Sequence, residues 1–338
     1  MLMHAVNAFP YPKSINRMFY FVIGHGWLGV DLFFVLSGFL ITGILLDAKG
    51  KPGYFKTFYA RRFFRIMPLY FTVVAVWSFF YRGYAKYFLL STVFMANFAG
   101  LLHIRRPHVA DILWSLAIEE QFYVIWPWLV LKLSRRHLGY VAACIVVIEP
   151  VVRALHAAGG MDPDVIYYLT WCRLDGLAVG ALIAIWVRTS HFSIKSSYQV
   201  AGALLAVLAM LTLAGLPFGL MTNHTVAAAS LRYTQAYLFY AACFALVLTH
   251  QGTLWTSPLR WSFITLSGAL SYCLYLVHVS AGQIYQDLIG WRLPVTMPAI
   301  FVRGVGMIAL SFAFALLSKR FLEDPCLRLK DRLFPAHR

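Results

Sequence analysis

Long runs of apolar residues, separated by short polar segments, dominate the chain. A helix that crosses a bilayer needs about 20 apolar residues, and nine runs approach or reach that length. They cover residues 27–46, 67–81, 114–132, 139–158, 166–187, 199–220, 233–250, 264–285 and 298–318. A further stretch at 84–102 is interrupted by polar residues, and we interpret it as an interfacial or re-entrant segment. The pattern predicts an all-α, polytopic transmembrane helix bundle with about nine complete spans.

The composition excludes most other classes of protein. Of the 338 residues, 61% are hydrophobic and 12% are charged, whereas a soluble domain is about 45–50% apolar and about 25% charged. The five cysteines form no CxxC pair, which argues against a disulfide framework and a zinc site, and we expect no metal. No internal repeat or Gly/Ser-rich linker divides the sequence, so residues 1–338 are predicted to form a single membrane domain.

The formal net charge of +16 allows two interpretations: nucleic-acid binding, or basic loops that hold the cytoplasmic side of a membrane. The second is favoured, because no soluble basic domain exists to contact a nucleic acid. If the run at 27–46 enters from outside, 18 of the 29 Lys and Arg residues fall on one side. The positive-inside rule then predicts a multi-pass protein of the inner (cytoplasmic) membrane, in contact with lipid, with a cytoplasmic C-terminus.

Charged residues within the apolar runs are the candidate functional residues, because a charge at the bilayer centre costs about 2.5–3.5 kcal/mol. They are Asp31, Glu119, Glu120, Glu149, Arg173, Asp175 and Arg303. Glu119 and Glu120 project about 100° apart on a helix, so one can face the interior while the other anchors at the interface. Arg173 and Asp175 are two residues apart and do not face each other, so each needs a partner elsewhere. Interhelical ion pairs explain that pair as well as catalysis does.

A cluster of arginines precedes the second run. Arg61, Arg62 and Arg65 lie at a membrane boundary, and Pro68 is expected to open the span that follows. Arginines on a helix face suit bidentate binding of phosphate oxygens, and contact with anionic lipid is the alternative.

A polar stripe marks the eighth run. Ser271, Tyr275 and His278 fall on one helical face and are expected to line a cavity. Since a lone intramembrane His is more often a packing residue than a base, both roles stay open for His278.

Five motifs, taken in order, resemble the signature of membrane acyltransferase family 3 along nearly the whole chain. They are GVDLFFVLSGFLI at 29–41, RRFFRIMP at 61–68, WSLAIEEQFYVIWP at 114–127, LSYCLYLVH at 270–278 and RFLEDP at 320–325. The resemblance implies a bundle of about ten transmembrane helices. It also implies transfer of an acyl group, usually acetyl, from the co-substrate acyl-coenzyme A (acyl-CoA) to a hydroxyl of an extracytoplasmic glycan or related acceptor.

The resemblance assigns a role to one residue, and the roles of the others form a mechanistic hypothesis. His4 matches the family's His and is the expected general base, with His25 as the fallback. Glu119, with Glu120 second, is expected to orient the imidazole. Arg61, Arg62 and Arg65 are expected to bind the coenzyme A phosphates. The expected acceptor pocket contains Ser37, Trp114, Tyr123, Arg173, Asp175, Tyr275 and His278.

The remaining expectations concern the two ends of the chain and the alternative functions. The family's first helix carries an Arg roughly a dozen residues before the His, so we expect here a truncated first helix and an incomplete N-terminus. The chain ends at Arg338, shortly after its last predicted span, so we expect direct transfer without a C-terminal extracytoplasmic domain. A transporter or exporter is the alternative, although it would predict repeats and paired broken helices. A non-catalytic scaffold is the third hypothesis.

Overall fold

The computed structural model describes residue 26 and residues 28–220, 225–289 and 297–334. Over these ranges the chain forms α-helices joined by turns, 3₁₀ segments and a π-helical segment at Lys319–Glu323, and no strand. The helices are α1 (Leu28–Ala48), α2 (Tyr54–Phe80), α3 (Ala85–Thr92), α4 (Leu113–Lys132), α5 (Arg135–Ala158), α6 (Pro163–Tyr168), α7 (Leu174–Trp186), α8 (Ile194–Gly215), α9 (Val226–Thr249), α10 (Ser262–Leu288), α11 (Met297–Ser318) and α12 (Asp324–Leu333). The predicted all-α polytopic bundle is confirmed.

The number of complete spans is smaller than predicted in the part of the chain that the structure describes. There, seven helices are long and apolar enough to cross a membrane. The run at 114–132 does form α4, but two glutamates and a glutamine lower its hydropathy. The predicted span at 166–187 is broken: α6 ends at Tyr168, and α7 is an apolar helix of only 13 residues.

Pro68 does not open a span. It lies inside α2, which begins at Tyr54, so the arginine cluster occupies the same helix. The prediction was wrong because polar residues can continue a helix beyond its apolar part, and a proline inside a transmembrane helix is tolerated where neighbouring groups satisfy the freed backbone groups. Thr72 Oγ1 donates a hydrogen bond to the Pro68 carbonyl oxygen at 2.7 Å.

Close packing of α1 against α7 forms the centre of the bundle. Two glycines allow the approach. A Cβ on Gly38 would overlap the backbone carbonyl of Leu177, and a Cβ on Gly180 would overlap that of Val35. Small residues at such seams let helix backbones touch.

Neighbouring helices give the bundle two chemically different ends. α1 and α4 run parallel, because Phe34 meets Trp114 near their starts and Lys49 Nζ donates to the Val130 carbonyl at 2.7 Å near their ends. We call the second end, where α1 and α4 end and α2 begins, the basic end. It carries Lys49, Lys51, Lys56, Lys132, Arg135 and Arg136.

Candidate active site

A cavity of about 420 Å³ lies at the end of the bundle opposite to the basic end. It is bounded by the start of α1, by residues just before and within α4, by α6 and by one face of α10. We call it the aromatic cavity. Its lining comprises Gly26, Gly29, Val30, Phe33, Asp111, Ile112, Trp114, Tyr167, Tyr168, Ser267, Ser271, Leu274, Tyr275 and His278.

Three rings form one wall of this cavity. The centroid of Trp114 lies 4.7 Å from that of Tyr167 and 5.2 Å from that of Tyr168. The Trp114 ring also meets Phe34 edge-on at 5.9 Å. The rings therefore brace one another, and such aromatic surfaces suit the apolar face of a sugar ring.

Asp111 brings a carboxylate to the same cavity. Tyr168 Oη donates to Asp111 Oδ2 at 2.9 Å, and Arg106 Nη1 lies 3.5 Å from Oδ1. The Arg106 guanidinium also stacks 4.0 Å from the centroid of the Tyr168 ring. Burial raises the pKa of Tyr168, so the phenol keeps the proton that it donates.

Two polar groups of α10 face the cavity. His278 Nδ1 lies 2.7 Å from the Tyr275 carbonyl oxygen, and because a carbonyl only accepts, Nδ1 carries the hydrogen. The Tyr275 hydroxyl lies 2.6 Å from Ser115 Oγ and donates to the Ile112 carbonyl at 3.0 Å.

A second site, which we call the apolar groove, has a volume of about 850 Å³ and runs between α2 and α4. It extends from Tyr59 and Phe334 near the basic end to Phe94 and Glu120 deeper in the bundle. Apart from Arg62, Glu120, Gln121 and the tyrosine hydroxyls, its lining is apolar. An alkyl or thioester arm with a charged head matches this lining.

A chain of hydrogen bonds lies between the groove and the cavity. Ser37 Oγ and Tyr123 Oη are 2.5 Å apart, and Tyr123 donates to Glu119 Oε2 at 3.1 Å. Ser37 must then donate to Tyr123. The buried Glu119 Oε1 has no hydrogen-bond partner among the described residues. We call these three side chains the polar link; its Tyr123 lines the groove, and its Ser37 follows the cavity residue Phe33 by one helical turn.

The three arginines of α2 have different surroundings. Arg62 is half-buried, and its guanidinium carbon lies 4.8 Å from the centroid of the Tyr123 ring. Arg61 and Arg65 are exposed and line neither site. The spacing predicts a common helix face for Arg62 and Arg65, whereas the structure presents only Arg62 to the groove.

Arg173 and Asp175 have the separate partners that their spacing predicts. Arg173 Nη2 pairs with Asp31 Oδ1, and Arg153 Nη2 pairs with Asp175 Oδ2 at 2.9 Å. All four side chains are buried. The pairs tie α7 and the residue before it to α1 and α5, which is the arrangement that the interpretation as interhelical ion pairs predicts.

Comparison with known proteins identifies the family. A family described as an acyltransferase domain, acyltransferase family 3, matches residues 1–317. This chain belongs to acyltransferase family 3.

Curated relatives of the chain include proteins named for peptidoglycan. The peptidoglycan O-acetyltransferase OatA of Listeria monocytogenes is 30% identical over 89% of this chain and 51% of its own length. The putative peptidoglycan O-acetyltransferase YrhL of Bacillus subtilis is 36% identical over 48% of this chain and 29% of its own length. An uncharacterized protein of Haemophilus influenzae is 34% identical over 58% of this chain and 88% of its own length. The chain thus spans about half or less of the first two relatives. No solved structure matches.

The structure places the predicted site residues of this family 3 protein in three groups. Trp114, Tyr275 and His278 line the aromatic cavity, whereas Arg62, Glu120 and Tyr123 line the apolar groove. Ser37 and Glu119 join the two through Tyr123. Arg173 and Asp175 line neither site. The predicted base His4 and its fallback His25 lie outside the described residues.

Three residues in or near the site were not predicted from the sequence. Asp111 and Tyr168 line the cavity, and their signal was polar character just outside or at the start of an apolar run. Arg153 is a charge within the run at 139–158, so the rule that selected Arg173 also applies to it.

Proposed function

We propose that this chain is a membrane O-acyltransferase. It transfers an acyl group, acetyl in the first instance, from acyl-CoA to a hydroxyl of an extracytoplasmic glycan or related acceptor. The observation that supports this proposal is the pair of sites on either side of the polar link: a groove suited to a charged donor with an apolar arm, and a cavity with an aromatic wall and a carboxylate. Family membership supplies the reaction class.

The donor enters from the basic end, which is the cytoplasmic side in this proposal. Acyl-CoA carries several phosphate charges, and Arg61, Arg62 and Arg65 bind them through their planar guanidinium groups. Arg62 has the contact with Tyr123 that connects this charge cluster to the polar link. The thioester arm follows the apolar groove towards Glu120. The protein sits in the inner membrane with its C-terminus in the cytoplasm.

The acceptor hydroxyl lies in the aromatic cavity. Its oxygen attacks the thioester carbon, a C–O bond forms, and the C–S bond breaks. His4 takes the hydroxyl proton as general base and passes it to the departing thiolate, a type of contribution that is typically worth 10²–10⁴-fold in rate. Glu119 Oε1 is the buried acceptor that orients the imidazole. We propose direct transfer, in which no acyl-enzyme forms.

The test uses membranes of cells that express the chain, together with the purified protein. Labelled acetyl-CoA is added to membranes that retain their envelope glycan, and label in the peptidoglycan is measured first because two relatives carry that name. We expect label transfer, and we expect coenzyme A to raise the Tm of the purified protein.

Variants separate the catalytic step from binding. His4→Ala should abolish transfer and keep the coenzyme A shift in Tm. His191→Ala, in an exposed turn, is the matched control and should behave as the unmodified chain. The contradicting outcome is a protein that transfers no label to any envelope fraction and is not stabilised by coenzyme A. Such a protein is not an acyl-CoA-dependent transferase. The transporter and scaffold hypotheses would then replace the proposal.

A further inference from the structure

A buried cluster of charges outside both sites joins α5, α7 and α9. The Arg153 guanidinium donates to Asp175 Oδ2 at 2.9 Å, to the Cys172 carbonyl at 2.7 Å and to the Ser230 carbonyl at 3.1 Å. The Glu149 carboxylate accepts the backbone N–H groups of Leu174 at 3.1 Å and Asp175 at 2.8 Å. The reaction described above uses none of these groups.

The cluster fixes the start of α7 and the residue before it. Glu149 satisfies two of the backbone donors that a helix N-terminus leaves unpaired, so it caps α7 from a neighbouring helix. Arg153 holds the preceding turn through the Cys172 carbonyl. Between these anchors, Arg173 has φ −141° and ψ −4°, which is not helical. Its side chain is directed towards Asp31 of α1, whereas Asp175 is directed towards Arg153.

Arg173 lies directly behind the aromatic wall. Its guanidinium carbon is 4.7 Å from the ring centroid of Tyr167 and 5.5 Å from that of Trp114, two of the three wall residues. It is 4.2 Å from the centroid of Tyr233 on the other side. Arg173 Nε and Nη1 have no hydrogen-bond partner among the described residues. Beside its ion pair with Asp31, the guanidinium is therefore stabilised by contact with these ring faces.

We propose that Asp31, Glu149 and Arg153 are positioning residues for the acceptor. They hold Arg173 in one place, and Arg173 fixes the ring faces of Trp114 and Tyr167 that the acceptor meets. The inference rests on the proposed function, because it requires that the acceptor enter the aromatic cavity. It predicts a selective defect: acceptor use is impaired, while donor binding at the opposite end of the bundle is kept.

The chain offers a matched control for this test. Asp31 and Asp47 both belong to α1, and each pairs with an arginine at one end of α7: Arg173 for Asp31, and Arg188 for Asp47 at 2.6 Å. Only the first pair lies behind the aromatic wall. Asp31→Asn and Asp47→Asn therefore break links between the same two helices at opposite ends. The side chains of Asp31 and Arg173 are buried, whereas those of Asp47 and Arg188 are 63% and 23% exposed, so the Tm of each variant without ligand is compared as well.

The experiment measures acetyl transfer from labelled acetyl-CoA in membranes and the coenzyme A shift in Tm of the purified variants. We expect Asp31→Asn and Glu149→Gln to lower the transfer rate about tenfold or more, with the KM for acetyl-CoA and the Tm shift unchanged. Asp47→Asn should retain the transfer rate. Equal losses in Asp31→Asn and Asp47→Asn, or a normal rate in Asp31→Asn, would overturn the inference.

A double-mutant cycle separates positioning from general stability. If Glu149 acts through the wall, combining Glu149→Gln with Trp114→Phe should cost little more than the larger single loss. Multiplicative losses would show a merely structural role for Glu149 and contradict the inference. An unmodified protein that neither transfers acetyl nor responds to coenzyme A would instead contradict the proposed function.

Discussion

Tyr123 is the side chain at which the groove and the bundle core meet. Its ring lies under the Arg62 guanidinium, and its hydroxyl joins Ser37 to Glu119. Each side chain in this series of contacts is positioned by its neighbour. Loss of the Tyr123 hydroxyl oxygen is therefore expected to disturb both the donor side and the bundle core.

Tyr123→Phe removes that atom and little else. Glu119 Oε2 and Ser37 Oγ would lose their shared partner, and a buried polar group without a partner costs about 1–3 kcal/mol. We expect transfer from acetyl-CoA to fall, with the coenzyme A shift in Tm retained. Tyr140→Phe, at an exposed position on α5, is the control and should leave transfer unchanged. Unimpaired transfer in Tyr123→Phe would remove the polar link from the mechanism.

Replacing the arginines of α2 by lysine should have effects of different size. Arg62→Lys keeps the charge and loses the planar group that stacks on Tyr123, so the apparent KM for acyl-CoA should rise several-fold. Arg61→Lys, at an exposed position outside the groove, should have a smaller effect. Initial rates against acyl-CoA concentration measure both. An unchanged KM in Arg62→Lys would assign this cluster to anionic lipid.

The sequence identifies charged residues in the bundle better than it identifies their partners. Asp31, Glu119 and Arg173 stand out because membrane spans rarely carry charges. Their contacts do not follow from local spacing, since Arg173 pairs with a residue 142 positions away. Which of three arginines faces the groove likewise depends on how α2 packs against α4.

At the scale of the elements, the seam between α1 and α7 depends on two glycines without side chains. The apolar pattern predicts both helical segments but not the closeness of their contact. It also misses the break before α7, because Arg173 and Asp175 lie in a sequence that stays apolar on both sides. The break appears only when Glu149 and Arg153 of α5 are seen to bind the start of α7.

Gly180→Ala tests the seam. The added methyl group would overlap the Val35 carbonyl and the Phe39 backbone nitrogen, so α1 and α7 must move apart. We expect a lower Tm and a lower yield of monodisperse protein in size-exclusion chromatography. Gly202→Ala on α8 meets no atom within 4 Å and should be neutral or slightly stabilising, because alanine favours helix over glycine by about 1 kcal/mol. A Gly180→Ala protein as stable as Gly202→Ala would show that the helices tolerate separation.

At the scale of the whole molecule, the two sites lie at different depths. The groove begins near the basic end, where α1 and α4 end, and the aromatic cavity lies where they begin. A reaction between a cytoplasmic thioester and an extracytoplasmic hydroxyl needs such an arrangement. It also requires one orientation of the bundle, which the excess of Lys and Arg on one side predicts.

Accessibility of two engineered cysteines tests this orientation. Lys51 follows α1 at the basic end and Arg105 precedes α4 at the cavity end, and both side chains are exposed. We expect a membrane-impermeant thiol reagent to label Arg105→Cys in intact spheroplasts and Lys51→Cys only after permeabilisation. The unmodified chain gives the blank for its five native cysteines. The reverse pattern would place the arginine cluster outside, away from cytoplasmic acyl-CoA, and the direction of transfer proposed above would then be wrong even if both sites bind their ligands.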